Sequence, residues 1–68
     1  MNRIRALRES KGLTQEALGK MVGVSQSTIN KYETDAIPLT VPKAALIAEK
    51  LGVELYEVLG LKLNRKEA

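Results

Sequence analysis

Apolar and polar positions alternate along this chain with a helical period, in short groups that each begin and end on a recognisable signal. In "NRIRALRESKG" Ile4 and Leu7 stand three apart among Arg3, Arg5, Arg8, Glu9 and Lys11, which predicts a first helix closing at Gly12, a residue suited to a left-handed stop. Leu13 then precedes Thr14, with Leu18 five positions after Leu13, and Val24 precedes Ser25, with Ile29 five positions after Val24. Each is an N-cap residue carrying a hydrophobic staple between N′ and N4. The second predicted helix therefore runs from Thr14 to about Val22 and stops at Gly23, and the third runs from Ser25 to Glu33. The periodicity turns Ala17, Leu18, Met21 and Val22 inward, together with Ile29 and Tyr32.

The segment "TDAIPLT" breaks the period, and Pro38 marks it as a loop. Thr40 caps a fourth predicted helix through Leu51, with Pro42 tolerated in the first turn and Val41, Ala44, Ala45, Ala48 and Leu51 as its apolar stripe. Gly52 ends it. "VELYEVLG" predicts a short fifth helix with Leu55, Val58 and Leu59 inward and Gly60 at its close. The pattern is all-α, one domain over residues 1–60, followed by a short charged tail over 61–68 that is expected to fray beyond Leu63. The few residues between Val22 and Ser25 force the second and third helices to cross closely at a large angle, a helix-turn-helix arrangement. Gly19 fits that reading, because Gly costs a helix interior about 1 kcal/mol relative to Ala and a close crossing uses the room it leaves.

Composition sharpens this picture mainly by exclusion. A chain of 68 residues buries only about 60% of the surface its unfolded form exposes. With no Cys and no His, disulfides and the common zinc sites are out of reach, so association is the stabilising route left. No metal or cofactor is expected. The apolar fraction of 44% is spread in short groups, with no run that would span a bilayer and no signal-peptide segment, so a soluble, cytoplasmic protein is expected. Eleven Lys and Arg against eight Asp and Glu give a net charge of +3, with a pI of about 9.5, which suits a polyanionic partner. An enzyme is disfavoured: there is neither a His or Cys nucleophile nor a Gly-rich phosphate loop, and the carboxylates are dispersed among Lys and Arg. Two Tyr with no Phe or Trp offer little for base stacking, which argues against RNA or single strands.

Leu18, Gly19, Val22, Gly23, Val24, Ile29 and Tyr32 fall on the apolar, small and glycine positions of the phage-repressor-like, Cro/XRE-type helix-turn-helix family. "LRESKGLTQEAL" and "LGVELYEVL" are similar to its opening and closing phrases, so the resemblance covers about residues 2 to 60. It implies a compact five-helix bundle of the lambda-repressor-like type that binds duplex DNA, usually as a two-fold dimer acting as a transcriptional regulator, most often a repressor. Three positions depart from the family pattern: Gly19 where Ala is more usual, Asp35 where the loop often has Gly, and Glu54 where Ser or Thr commonly caps the last helix.

The resemblance also gives the third helix a task. An α-helix fits the major groove, where base edges present patterned donors and acceptors that short amides and hydroxyls can read. The outward face of the segment Ser25 to Glu33 carries Gln26, Ser27, Asn30 and Lys31. In the family, residues equivalent to Gln26, Ser27 and Lys31 commonly approach base edges; Gln26 would pair with adenine and Lys31 with guanine, with Asn30 a further base-reading candidate. Thr28 is expected at phosphate or a thymine methyl. Gln15 is expected at phosphate beside the exposed N–H groups of its helix, and the matching family Gln also braces the equivalent of Gln26. Lys20 and Lys43 lie nearest the expected groove edge as backbone contacts. The family positions of Arg8 and Glu33 form a partly buried ion pair joining two helices. Leu46, Tyr56, Leu61 and Leu63 are left over from the core stripes and are assigned to a dimer surface. A rival use of the same fold is a protein-interaction module, such as an antitoxin or a co-regulator.

Overall fold

The computed structural model describes residues 2–61, which form five α-helices: α1 (Ile4–Ser10), α2 (Gln15–Val22), α3 (Gln26–Glu33), α4 (Val41–Leu51) and α5 (Leu55–Leu59). Among the described residues there is no strand. Three of the helices start on a side chain that replaces a missing backbone partner. The Thr14 hydroxyl accepts the Ala17 N–H at 3.0 Å, the Ser25 hydroxyl accepts the Thr28 N–H at 3.1 Å, and the Thr40 hydroxyl accepts the Lys43 N–H at 3.4 Å. Leu13 and Val24, the residues before the first two caps, both pack against the core that contains Leu18 and Ile29. At the start of α5 the cap works the other way round, with the Glu54 N–H donating to the Glu57 carboxylate at 2.9 Å.

The turn between α2 and α3 is as tight as the short spacing requires. Gly23 closes α2 with φ +79°, and the Val24 N–H returns to the Gly19 carbonyl at 2.9 Å. A Cβ on Gly19 would lie 2.5 Å from the Val24 carbonyl oxygen and 3.3 Å from the Ser25 backbone. α3 ends in a Schellman motif, with the Ala36 N–H on the Lys31 carbonyl at 2.8 Å and the Asp35 N–H on the Tyr32 carbonyl at 3.3 Å. Asp35 occupies its left-handed position with φ +61°.

Ile4 and Leu7 of α1, Leu18 and Val22 of α2, Ile29 of α3, Ala44, Ile47, Ala48 and Leu51 of α4, and Val58 of α5 make one core. α2 packs on α3 and α4, α4 on α5, and α1 bridges α3 and α5. Three expectations about facing are corrected. Met21 is 39% exposed, and the stripe of α4 is rotated: Val41 and Ala45 are exposed, while Ile47 is completely enclosed. Both stripes obey helical spacing, and the larger aliphatic side chain wins the inner face because it removes more apolar area from water. Tyr32, Leu55 and Leu59 lie half-buried against the core.

Candidate nucleic-acid interface

α3 turns Ile29 into the core and leaves Gln26, Ser27, Asn30 and Lys31 exposed. Thr28 is half-buried, its hydroxyl 3.1 Å from that of Ser25. The short turn and the Ser25 cap fix where this face begins. Its other end is fixed by charge. Arg8 and Glu33 are each only 8% exposed, and they pair through Arg8 Nε to Glu33 Oε2 at 2.7 Å and Arg8 Nη2 to Glu33 Oε1 at 3.3 Å. The remaining nitrogen, Nη1, donates to the Leu13 carbonyl at 2.7 Å. One guanidinium therefore joins α1, the α1–α2 turn and α3. The hydrogen bond to Glu33 raises the Arg8 pKa above its ordinary value, against the opposing effect of burial. Among the described residues no buried side-chain nitrogen or oxygen lacks a partner, so the pair lies in a satisfied environment.

Gln15, in the first turn of α2, continues this chain of contacts outward. Its Nε2 donates to Glu33 Oε1 at 2.9 Å and to Asn30 Oδ1 at 3.2 Å, while its Oε1 lies 3.5 Å from Gln26 Nε2. The last contact is at the long end of hydrogen bonding. Arg8, Glu33, Gln15, Asn30 and Gln26 are thus physically connected, from the interior to the outer face of α3. Lys20 is exposed and Lys43 half-buried. Of the residues assigned to a dimer surface, Leu61 is 60% exposed, Tyr56 is half-buried, and Leu46 packs against the chain's own core; Leu63 lies outside the described residues.

Asn2 has a role the sequence reading missed. Its Oδ1 accepts the Ile4 N–H at 3.0 Å, and its Nδ2 donates to the Tyr32 carbonyl at 2.8 Å and the Asp35 carboxylate at 3.2 Å. The signal was present, since an Asn two residues before the first core position is a capping residue type. Its reach to the end of α3 was not.

Comparison with known proteins places this geometry. A helix-turn-helix family model matches residues 4–58. The HTH-type transcriptional regulator PrpR of Mycobacterium tuberculosis is 46% identical over 51 residues, covering 75% of this chain and 10% of that protein. RamB of the same species, also an HTH-type transcriptional regulator, is 42% identical over 53 residues, 78% of this chain and 11% of its own length. The chain spans about a tenth of the length of these curated relatives. Among solved structures, the P22 c2 repressor in complex with a synthetic operator superposes with a TM-score of 0.75 at 33% identity, over 84% of this chain and 86% of that one. A hypothetical transcription factor from Neisseria, NHTF, gives 0.78 at 26% identity, over 84% and 66%. With the five-helix fold, the tight α2–α3 turn and the family match over residues 4–58 in agreement, the chain belongs to the Cro/C1-type (XRE) helix-turn-helix family, a family of DNA-binding transcriptional regulators.

Proposed function

We propose that this chain is a sequence-specific duplex-DNA-binding module of a transcriptional regulator, acting most often in repression, and that α3 enters the major groove. The carrying observation is the exposed face of Gln26, Ser27, Asn30 and Lys31, short amides and hydroxyls with one cation, on a helix anchored from behind by a buried ion pair. Gln26 reads adenine N6 and N7, Lys31 reads guanine O6 and N7, and Ser27 contacts a neighbouring base edge. Thr28, Lys20 and Lys43 contact or approach the phosphates, with Gln15 bracing α3 beside them, and each phosphate that a lysine neutralises steepens the salt dependence of binding. The solved likeness to a repressor on its operator supports this reading. Two copies pair through the α4–α5 side, where Leu61 and Tyr56 offer apolar surface, and read half-sites about 34 Å apart.

The test is selection from a randomised duplex pool at near-physiological salt, run in parallel with Gln26→Ala. The expected result is an inverted repeat, with the variant losing about 1–3 kcal/mol of discrimination at one base pair of each half-site while its circular dichroism stays helical. Retention without an enriched sequence overturns the reading and moves the search to protein partners.

A further inference from the structure

The contacts around Glu33 fix more than the position of α3. A side-chain amide has an oxygen that accepts and a nitrogen that donates, and its orientation is decided by what it faces. An ionised carboxylate only accepts. Glu33, whose carboxylate accepts from the Arg8 guanidinium at 2.7 Å, therefore requires the nitrogen of Gln15, and receives it at 2.9 Å. That single choice propagates. The second hydrogen on Gln15 Nε2 requires an acceptor from Asn30, supplied by Oδ1 at 3.2 Å, so the Asn30 nitrogen is the atom turned away from Gln15. Gln15 is left with its oxygen toward Gln26, whose nitrogen meets it.

The two outer amides consequently present different chemistry. Gln26 spends one N–H on Gln15 and keeps its oxygen and a second N–H, the donor and acceptor pair that adenine requires. Asn30 has its oxygen turned toward Gln15 and its nitrogen turned away, so the groups it presents outward are two N–H donors. Asn30 lies four residues after Gln26, one helical turn along the same exposed face. We propose that Asn30 is a specificity-determining residue that reads guanine through O6 and N7, both acceptors, and that Glu33 acts through Gln15 as the positioning residue that denies Asn30 the adenine pairing open to Gln26. This assignment rests on the DNA-reading role of α3 and adds to it the base that one position selects.

Asn30→Asp separates the possibilities, because the new side chain has the same shape and its carboxylate still accepts from Gln15, while the outward group changes from donor to acceptor. The 68-residue chain and this variant are each selected against the randomised duplex pool, and the base frequencies are compared position by position. Guanine at one base pair is expected to fall about five- to a hundredfold against bases offering an amino donor, with the adenine assigned to Gln26 retained. Gln15→Ala, checked for helix content by circular dichroism, is expected to flatten the same position without inverting it, because Asn30 is then free to turn either way. A purely structural role for Gln15 would lower affinity on all sequences alike and leave every base frequency in place. Enrichment with the unsubstituted chain whose pattern Asn30→Asp leaves intact, even at reduced affinity, overturns this assignment alone and places Asn30 at phosphate. No enrichment with the unsubstituted chain overturns the DNA reading and this inference with it.

Discussion

Gly19 and Asp35 show how single positions set the approach of the two helices that matter most. At Gly19 an added methyl would meet the Val24 carbonyl at 2.5 Å, and backbone cannot swing aside as a flexible side chain would. Overpacking of this kind costs about 1–3 kcal/mol, partly offset by the helix preference of Ala, about 1 kcal/mol over Gly. Gly19→Ala is therefore expected to lower stability by up to about 2 kcal/mol, read as a reduced urea midpoint; a higher midpoint would contradict the close crossing. The need for a small residue was legible in the sequence, whereas the identity of the atom it avoids was not, since that depends on where the following turn folds back. Asp35 departs from the family's Gly at a position with φ +61°, where a side chain is strained, yet the Asn2 amide reaches its carboxylate. Asp tolerates this region better than most residues.

The elements themselves were readable because their signals are local. Thr14, Ser25 and Thr40 each cap the helix their neighbours announce, and Gly23 and Gly52 end the two helices that precede them. Removing one such cap should be felt at the element it starts. Ser25→Ala is expected to cost about 0.5–2 kcal/mol, measured by denaturation, because the Thr28 N–H loses its acceptor at the head of α3. A loss near zero would mean that water serves that N–H equally well. The facing of α4 was less readable, and the reason lies in its composition. "VPKAALIAEKL" contains apolar residues on more than one helical stripe, so spacing alone permits either Val41 and Ala45 or Ile47 to join Ala44, Ala48 and Leu51 on the inner face. The packing of α2 and α5 against the helix, which encloses the larger Ile47, selects between them.

At the scale of the whole molecule, Arg8 does what a small core cannot. Its hydrogen bond to Glu33 is a buried polar link between α1 and α3, 25 residues apart in sequence, and its removal leaves the Glu33 carboxylate buried without its partner. Arg8→Ala is expected to cost about 3–5 kcal/mol, a large share of the stability of any domain this small. Because the folded-state pKa of Arg8 is raised, its contribution is present below the unfolded pKa and is lost only as pH rises through the folded one. The destabilisation should therefore be the same at neutral pH and at about pH 10, both below the arginine range; a penalty that shrinks on going to the higher pH would sink this account. The ion pair was reached from the sequence only through family resemblance, and the link from Glu33 through Gln15 to Asn30 not at all, since three residues from two helices carry no common spacing. That link divides the outer face of α3 into two kinds of position. Ser27 and Lys31 are exposed and lie outside the hydrogen bonds that run from Glu33 through Gln15, so each is expected to tolerate substitution on its own. Gln15, Gln26 and Asn30 share a connected set of donors and acceptors, so a substitution at one of them is expected to change the hydrogen bonding of the others.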